Sequence, residues 1–148
     1  MELLGRRAGS IVDSATFRRL GRARALIHDA HATELTLDDL ANAAGLSRFH
    51  FLRLFRRAYG KTPNAYLQEV RLEHARSLLG GGKSVTEACV SVGFSSIGSF
   101  SALFAKKVGM SPSQYQRELR RLIQVPDHLP MMFIPYCFFV RLAVGEQS

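Results

Sequence analysis

Apolar residues recur at helical spacing along most of this chain, and the pattern is clearest over residues 36–59. Apolar positions three, four and seven residues apart share one face of an α-helix, so each such set must pack against another element. The stretch predicts a short helix and then a longer one, with inward positions at Leu37, Leu40, Ala41 and Ala44 in the first and at Phe51, Leu54, Phe55 and Ala58 in the second.

The flanking residues are those that begin helices and form tight turns. Thr36 is a typical N-cap, and Asp39, three residues later, can complete a capping box. Gly45 can adopt positive φ, and Ser47 can cap the second helix. A helix, a glycine turn and a second helix form the helix-turn-helix pattern, whose second helix lies in the DNA major groove. Taken alone, the stretch is equally compatible with an ordinary helical hairpin that has a solvated charged face.

The second helix is also basic. Residues 48–61 contain five Lys or Arg and no Asp or Glu. Phe49, Leu52, Arg53 and Arg56 have helical spacing on a face other than the apolar one. Since nothing nearby in the sequence neutralises this charge, the helix suits a polyanionic partner.

Periodic apolar residues predict further helices on both sides of this stretch. An amphipathic first helix is expected over residues 17–31, with Phe17, Leu20, Ala23, Ile27 and Ala30 in its stripe. Residues 1–16 are expected to form a loose N-terminal arm or a fragment of irregular structure. Thr62 and Pro63 are a typical N-cap and first residue for a long helix that ends near Leu79, before three glycines. At 1.5 Å per residue this helix would be roughly 25 Å long.

The pattern that begins at Thr36 returns at Ser84. Five positions of the first helix and its turn recur 48 residues later: Thr36 as Ser84, Leu37 as Val85, Ala41 as Cys89, Gly45 as Gly93 and Leu46 as Phe94. After one inserted residue, Phe51, Leu54, Phe55, Gly60, Pro63, Tyr66 and Arg71 correspond to Phe100, Leu103, Phe104, Gly109, Pro112, Tyr115 and Arg120, each 49 later. Because a charged hairpin would hardly recur by chance with the same turn glycine and aromatic positions, the sequence predicts two helix-turn-helix units.

The two copies differ on the face that would contact a partner. Four residues of this face are replaced in the second copy: Phe49 by Gly98, Leu52 by Ser101, Arg53 by Ala102 and Arg56 by Ala105. The apolar positions are retained. The second copy therefore keeps the packing face and loses most of the contact face. Lys106, Lys107, Ser99, Ser101 and the helix amides near Ser95 and Ser96 remain as phosphate contacts.

Composition narrows the class of partner. A chain of 148 residues is one domain or two very small ones, and its net charge of +8 and pI of about 10.2 favour nucleic acid or a membrane surface. No apolar run is long enough to span a membrane and no signal peptide is evident, so a soluble cytoplasmic protein is expected. Cys89 and Cys137 have neither metal-type nor disulfide-framework spacing.

The repeated segments resemble the AraC/XylS-type DNA-binding domain. The resemblance runs from about Phe17 to Arg121 and rests on LTLDDLANAAGLSRFHFLRLFRRAYGKTPNAYLQEVRLEHARSLL and on SVTEACVSVGFSSIGSFSALFAKKVGMSPSQYQRE, of which the part from Gly93 to Tyr115 is the most specific. It implies an all-α fold of two helix-turn-helix subdomains, each a homeodomain-like three-helix unit, joined by a long central helix. The implied boundaries are 1–16 for the arm, 17–62 for the first subdomain, 63–79 for the linker helix, 83–121 for the second subdomain and 122–148 for an irregular, apolar, proline-containing tail.

In this family the two recognition helices enter successive major-groove segments on one side of the duplex, and a helix of about 25 Å suits that spacing. The positions that match base-contacting residues are Phe49, Leu52 and Arg53 in the first recognition helix and Ile97, Gly98, Ser101 and Ala102 in the second. Further base or backbone contacts are expected from Ser47, Arg48, His50, Arg56, Arg57, Ser96, Ser99, Lys106 and Lys107. Ala102 cannot make the bidentate contact to guanine that an arginine makes, so base reading is expected to be concentrated in the first helix, with Arg53 as principal reader.

The resemblance implies a transcription regulator, expected to be an activator that binds double-stranded DNA at the nucleoid and contacts RNA polymerase. The sixteen residues before the first helix leave no room for the usual sensing domain, so the chain is expected to be a minimal monomeric regulator or a fragment. The apolar run at residues 131–140 either packs across the domain or contacts another chain or ligand.

Other function classes have weaker support. A basic module for acidic protein or membrane partners remains compatible with the composition, as does a DNA-binding fragment of a larger regulator or of a DNA-repair protein. Catalysis is not expected, because Cys89 occupies the apolar position that matches Ala41 and Cys137 lies in an apolar run without a basic partner. Nor is a phosphate loop, a serine elbow or a carboxylate pair present. His28 and His31 lack a third metal ligand, so neither a metal nor a cofactor is expected.

Overall fold

A computed structural model describes residues 13–122, and the predictions for the rest of the N-terminal arm and for the tail, with Cys137 and the 131–140 run, lie outside them. The described part contains seven α-helices and no β-strand: α1 (Ser14–Ala30), α2 (Leu37–Ala44), α3 (Arg48–Tyr59), α4 (Pro63–Gly80), α5 (Val85–Ser91), α6 (Ile97–Val108) and α7 (Pro112–Leu122). The prediction of an all-α fold is confirmed. The chain divides into a first unit that ends at Val70 and a second that begins at Arg71.

Helix α1 begins earlier than its apolar stripe predicts. The Asp13 side chain accepts hydrogen bonds from the amide and the hydroxyl of Thr16, each at 2.8 Å. These bonds hold the pKa of the Asp13 carboxyl below its usual value. The expectation of a loose arm through residue 16 is therefore wrong at its end, because an Asp-x-x-Thr cap starts the helix at Ser14.

The first unit has its own core. Its buried residues come from four helices: Leu20, Ala23 and Ile27 of α1, Leu40, Ala41 and Ala44 of α2, Phe51 and Phe55 of α3, and Leu67 and Val70 of α4. Phe17, expected in the buried stripe of α1, is instead 49% exposed, and its ring centroid lies 6.1 Å from that of Tyr59. The α1 stripe thus begins at Leu20.

The second unit repeats this arrangement. Its buried residues are Leu72, Ala75 and Leu79 of α4, Ala88 and Cys89 of α5 with the adjoining Val92, and Phe100 and Phe104 of α6. Phe51 and Phe55 have ring centroids 5.4 Å apart, and their counterparts Phe100 and Phe104 are 5.7 Å apart. The two helix-turn-helix units are therefore built on matching aromatic pairs.

The repeat also includes the helix that precedes each helix-turn-helix. Residues 19–27, RLGRARALI, match residues 71–79, RLEHARSLL, at an offset of 52. The matched positions Leu20, Ala23 and Ile27 are buried in the first core, and Leu72, Ala75 and Leu79 are buried in the second. Helix α4 thus completes the core of the first unit with its N-terminal half and opens that of the second with its C-terminal half.

Candidate nucleic-acid interface

The N-terminus of α2 has the capping box that the sequence predicts. The Thr36 side chain accepts from the amide of Asp39, and the Asp39 carboxylate accepts from the amide and the hydroxyl of Thr36 at 2.8 and 2.6 Å. The same box recurs between Ser84 and Glu87 at the start of α5. In both cases hydrogen bonds from the capping residue hold the pKa of the carboxyl below its usual value.

The turn between α2 and α3 is closed by its glycine. Gly45 has φ of 63°, its amide donates to the carbonyl of Asn42 at 2.9 Å, and the amide of Leu46 donates to the carbonyl of Ala41 at 3.0 Å. This is the Schellman arrangement, in which a left-handed residue ends the helix. The predicted positive φ at Gly45 is confirmed, and α3 begins three residues later at Arg48.

Helix α3 buries one face and exposes the basic one. Phe51 and Phe55 are in the core, whereas Arg53, Arg56 and Arg57 are exposed and Leu52 is half-buried between the two faces. No acidic residue occurs within the helix. Three guanidinium groups therefore lie on one exposed helical surface, with an apolar side chain among them.

The first turn of α3 adds an exposed aromatic ring and a further cation. Phe49 is 78% exposed, although burying a phenylalanine side chain is worth about 1.5–3 kcal/mol. His50 is exposed beside it, and Arg48 lies 3.6 Å from the carboxylate of Asp38, an exposed ion pair of little energetic weight. An aromatic ring left in water at the start of a basic helix is a candidate contact surface.

Ser47 lies at the N-cap position of α3 but makes no side-chain cap hydrogen bond, so the capping role predicted for it is wrong. The other helices of residues 13–122 each begin with a side-chain oxygen that accepts an amide: Asp13, Thr36, Thr62, Ser84, Ser96 and Ser111. The hydroxyl of Ser47 is exposed, so it can contact a partner outside the helix.

Helix α6 exposes a smaller and less charged surface. Ile97 is 46% exposed, Gly98, Ser99 and Ala102 are exposed, and Ser101 is half-buried. Ser96 uses its hydroxyl to accept from the amide of Ser99 at 3.3 Å, so that amide is already engaged. Lys106 and Lys107 are exposed in the last turn and carry the positive charge of this helix.

Sequence reasoning missed one residue that shapes the first turn. Arg19 of α1 donates from Nε to the carbonyl of Ala44 at 3.0 Å and from a terminal nitrogen to the carbonyl of Gly45. Arg19 lies outside the apolar stripe that predicts the first helix, so helical periodicity assigns it no role. The signal that could have found it is the RLxxARxL pattern shared by residues 19–26 and 71–78.

The other candidate chemistry has structural roles. His28 lies with Nε2 at 3.2 Å from the Tyr66 hydroxyl, and His31 lies with Nδ1 at 2.9 Å from the carbonyl of His28. Cys89 is buried, and desolvation raises the pKa of its thiol, the opposite of what a nucleophile needs.

Residues 13–122 contain no group of three or more His, Cys, Asp or Glu that could hold a metal ion. Among the described helices, none is both long and apolar enough to cross a bilayer.

Comparison with known proteins gives one family. The family described as "Helix-turn-helix domain" matches residues 40–118. The chain is 38% identical over 100 residues to the protein named transcriptional activator NphR of Rhodococcus sp, an alignment that covers 67% of this chain and 30% of that protein. Three other curated relatives are matched over 32% to 54% of their length, so the chain spans about a third to a half of them.

Two solved structures have the same fold. An AraC-type transcriptional regulator from Chromobacterium violaceum superposes with a TM-score of 0.66 at 30% identity, covering 72% of this chain and 96% of that one. The DNA-binding domain of AdpA, solved in complex with a target DNA, gives a TM-score of 0.66 at 28% identity, covering 70% and 95%. This chain belongs to the AraC-type helix-turn-helix family of DNA-binding transcription regulators.

Proposed function

We propose that the chain binds specific double-stranded DNA sequences through α3 and α6, and that base reading is concentrated in α3. The observation that carries the proposal is the contrast between the two helices: they share their buried phenylalanines, but only α3 exposes several guanidinium groups and an aromatic ring. In the domain proposed here, residues 17–121, the two recognition helices occupy successive major-groove segments.

Arg53 is the proposed principal base reader. It is exposed near the middle of α3, and an arginine fork donates to both acceptors on the major-groove edge of guanine, which discriminates by about 1–3 kcal/mol. Phe49 and Leu52 supply apolar contacts on the same helix, for which a thymine methyl is the suitable partner.

The backbone contacts proposed for α3 come from its ends. Ser47, which does not cap the helix, can donate its hydroxyl to a phosphate at the positive end of the helix dipole. Arg48 and His50 flank it in the first turn, and Arg56 and Arg57 lie in the last turn. Arg48 would exchange the Asp38 carboxylate for a phosphate, at small cost because the ion pair is exposed.

Helix α6 is proposed to contact the DNA backbone more than the bases. Ile97 and Ser101 are its base contacts, with Ile97 suited to a thymine methyl. Ser96, Ser99, Lys106 and Lys107 contact the backbone. Binding both helices to one duplex is expected to bend the DNA. Activation is the proposed outcome, and the relative named as an activator supports it. Contact with RNA polymerase at the nucleoid is proposed together with activation.

The test is selection of bound sequences from a random duplex pool, followed by salt-titrated binding to the selected duplex. Arg53→Ala should change the selected sequence and weaken binding to the original duplex by about 5- to 150-fold. Arg57→Ala, which removes the same charge from the same helix, should weaken binding to all duplexes alike and reduce the salt slope by about one. If the wild-type protein selects no sequence, the proposal fails and a basic module for acidic protein partners becomes the better account.

A further inference from the structure

Arg19 connects α1 to the turn that precedes the proposed reading helix. Its Nε lies 3.0 Å from the carbonyl oxygen of Ala44, the last residue of α2, and a terminal nitrogen donates to the carbonyl of Gly45. The planar guanidinium fork can hold two acceptors in a fixed relation, which a lysine ammonium cannot do. Two successive carbonyls of the turn are therefore held from a different helix.

These bonds complete the hydrogen bonding of the turn rather than duplicate it. The amides of Gly45 and Leu46 already donate to the carbonyls of Asn42 and Ala41, which lie earlier in α2. Arg19 donates to the carbonyls of the later residues Ala44 and Gly45. A Cβ at residue 45 would lie only 3.4 Å from a terminal nitrogen of Arg19, so the guanidinium packs closely over the left-handed glycine.

The start of α3 lacks the anchor that the other described helices have. Because the hydroxyl of Ser47 makes no cap hydrogen bond, the first turn of α3 is not tied to its own N-cap side chain. The segment between α2 and α3 is held instead through the Schellman bonds and through Arg19. A change at Arg19 should therefore affect the direction in which α3 leaves the turn.

The second unit has an arginine at the matching place. Arg71 stands 52 residues after Arg19, directly before the matched Leu72. Its guanidinium carbon lies 5.5 Å from the ring centroid of Phe94, which follows the glycine of the second turn. In both units an arginine from the leading helix thus reaches the residues of the helix-turn-helix turn, although by different contacts.

We propose that Arg19 is a positioning residue for DNA recognition, which holds the α2–α3 turn so that Phe49, Leu52 and Arg53 meet the base edges in one fixed pose. The inference rests on the proposed function, since it assigns to Arg19 a role in sequence discrimination by α3. Arg19 itself need not touch the duplex.

The experiment measures affinity for the duplex selected by the wild-type protein and for a scrambled duplex of the same composition. It is done at 10 °C, with folding of each variant checked by circular dichroism. Arg19→Ala should lower the ratio of the two affinities about tenfold, within the range of one lost base contact. Arg19→Lys, which keeps the charge but not the fork, should lower it by a smaller factor. Arg22→Ala is the matched control, since it removes an exposed arginine from the same helix, and should leave the ratio unchanged.

Combining Arg19→Ala with Arg53→Ala distinguishes a role of Arg19 in aiming α3 from a purely structural role. If Arg19 acts by aiming α3, its removal should change the ratio less than twofold once the principal reader is absent. An unchanged ratio in folded Arg19→Ala overturns the inference, as does an equal effect of Arg19→Ala with and without Arg53. If Arg19→Ala does not fold, an unchanged ratio in Arg19→Lys overturns it. Failure of the wild-type protein to prefer the selected duplex would instead overturn the proposed function, and the inference with it.

Discussion

Helices α3 and α6 are alike inside and different outside. Phe55 and Tyr66 pack edge to face with centroids 5.7 Å apart, and their counterparts Phe104 and Tyr115 do so at 5.5 Å. On the exposed side, Arg53 and Phe49 of α3 are matched by Ala102 and Gly98 of α6. The buried residues of a helix-turn-helix thus determine its shape, while its outer residues can change without altering that shape.

This difference separates the positions that determine the fold from the exposed positions that are available to a partner. Core positions are constrained by close packing, so a change of even one methylene affects stability. Exposed positions on a helix contribute little to folding and can be exchanged at small cost. The two helices of this chain are therefore a natural comparison, in which the scaffold is held nearly constant and the contact surface varies.

The largest expected effect concerns the buried phenylalanines that α3 and α6 share. Phe51→Ala and Phe100→Ala each remove a fully buried ring, so each should lower the free energy of unfolding of its unit by about 3–5 kcal/mol. Urea denaturation followed by circular dichroism measures this. Phe49→Ala is the control, with an expected change within about 0.5 kcal/mol because the ring is exposed. A large difference between Phe51→Ala and Phe100→Ala would show that the two cores are not equivalent.

The next effect sharpens the difference between the contact surfaces. Ala102 is exposed at the position that matches Arg53, so Ala102→Arg restores a guanidinium to α6 at little cost in stability. Sequence selection with this variant should add a guanine preference in the segment contacted by α6, worth about 1–3 kcal/mol. Ala102→Lys adds the same charge without the planar fork, so it should give a weaker guanine preference. If both variants bind all duplexes more tightly without a new preference, α6 does not present this position to bases.

The two N-cap serines provide a smaller contrast. Ser96 caps α6, so Ser96→Ala should lower the free energy of unfolding by about 1 kcal/mol. Ser47 makes no cap bond, so Ser47→Ala should change stability by less than about 0.5 kcal/mol and instead weaken binding to every duplex. Thermal denaturation and filter binding measure the two quantities. Equal losses of stability in both variants would contradict the distinction between the caps.

The smallest expected effect concerns Gly98. It lies in the first turn of α6 without positive φ, and a Cβ there would meet the Ser96 hydroxyl at an ordinary 3.6 Å. Gly98→Ala should therefore raise the free energy of unfolding by about 0.5 kcal/mol, since alanine loses less conformational entropy on folding. Differential scanning calorimetry would detect the corresponding rise in Tm. A fall in Tm would mean that the neighbouring cap cannot accommodate the methyl group.

Local patterns predicted most of the fold. Helical periodicity located the first four helices, and the recurrence of their pattern located the last three. The Thr36 capping box and the left-handed conformation of Gly45 followed from residue types at fixed spacing. These features are determined within a few residues of the chain. The exposed cations of α3 were equally predictable, because the apolar stripe defines which face is buried.

Other features depend on residues that are distant in sequence. The bonds of Arg19 to Ala44 and Gly45 join residues 25 and 26 positions apart, so the RLxxARxL pattern can single out Arg19 but cannot identify its partners. Ser47 has the residue type and position of an N-cap, yet its side chain does not make the bond. Phe17 continues an apolar stripe but lies beyond the part of α1 that packs on the core. The roles of individual side chains in DNA contact stay predictions.

The double use of α4 has a practical consequence for cutting this protein into pieces. A fragment that stops before Pro63 would lose Leu67 and Val70 from the first core, whereas one that starts after Gly80 would lose Leu72, Ala75 and Leu79 from the second. Because the first unit uses α4 up to Val70 and the second uses it from Arg71, each half keeps its buried residues only if its own share of the eighteen-residue helix stays attached. A free helix as short as either share is marginal in water, so each share stays helical only while it packs on its own core.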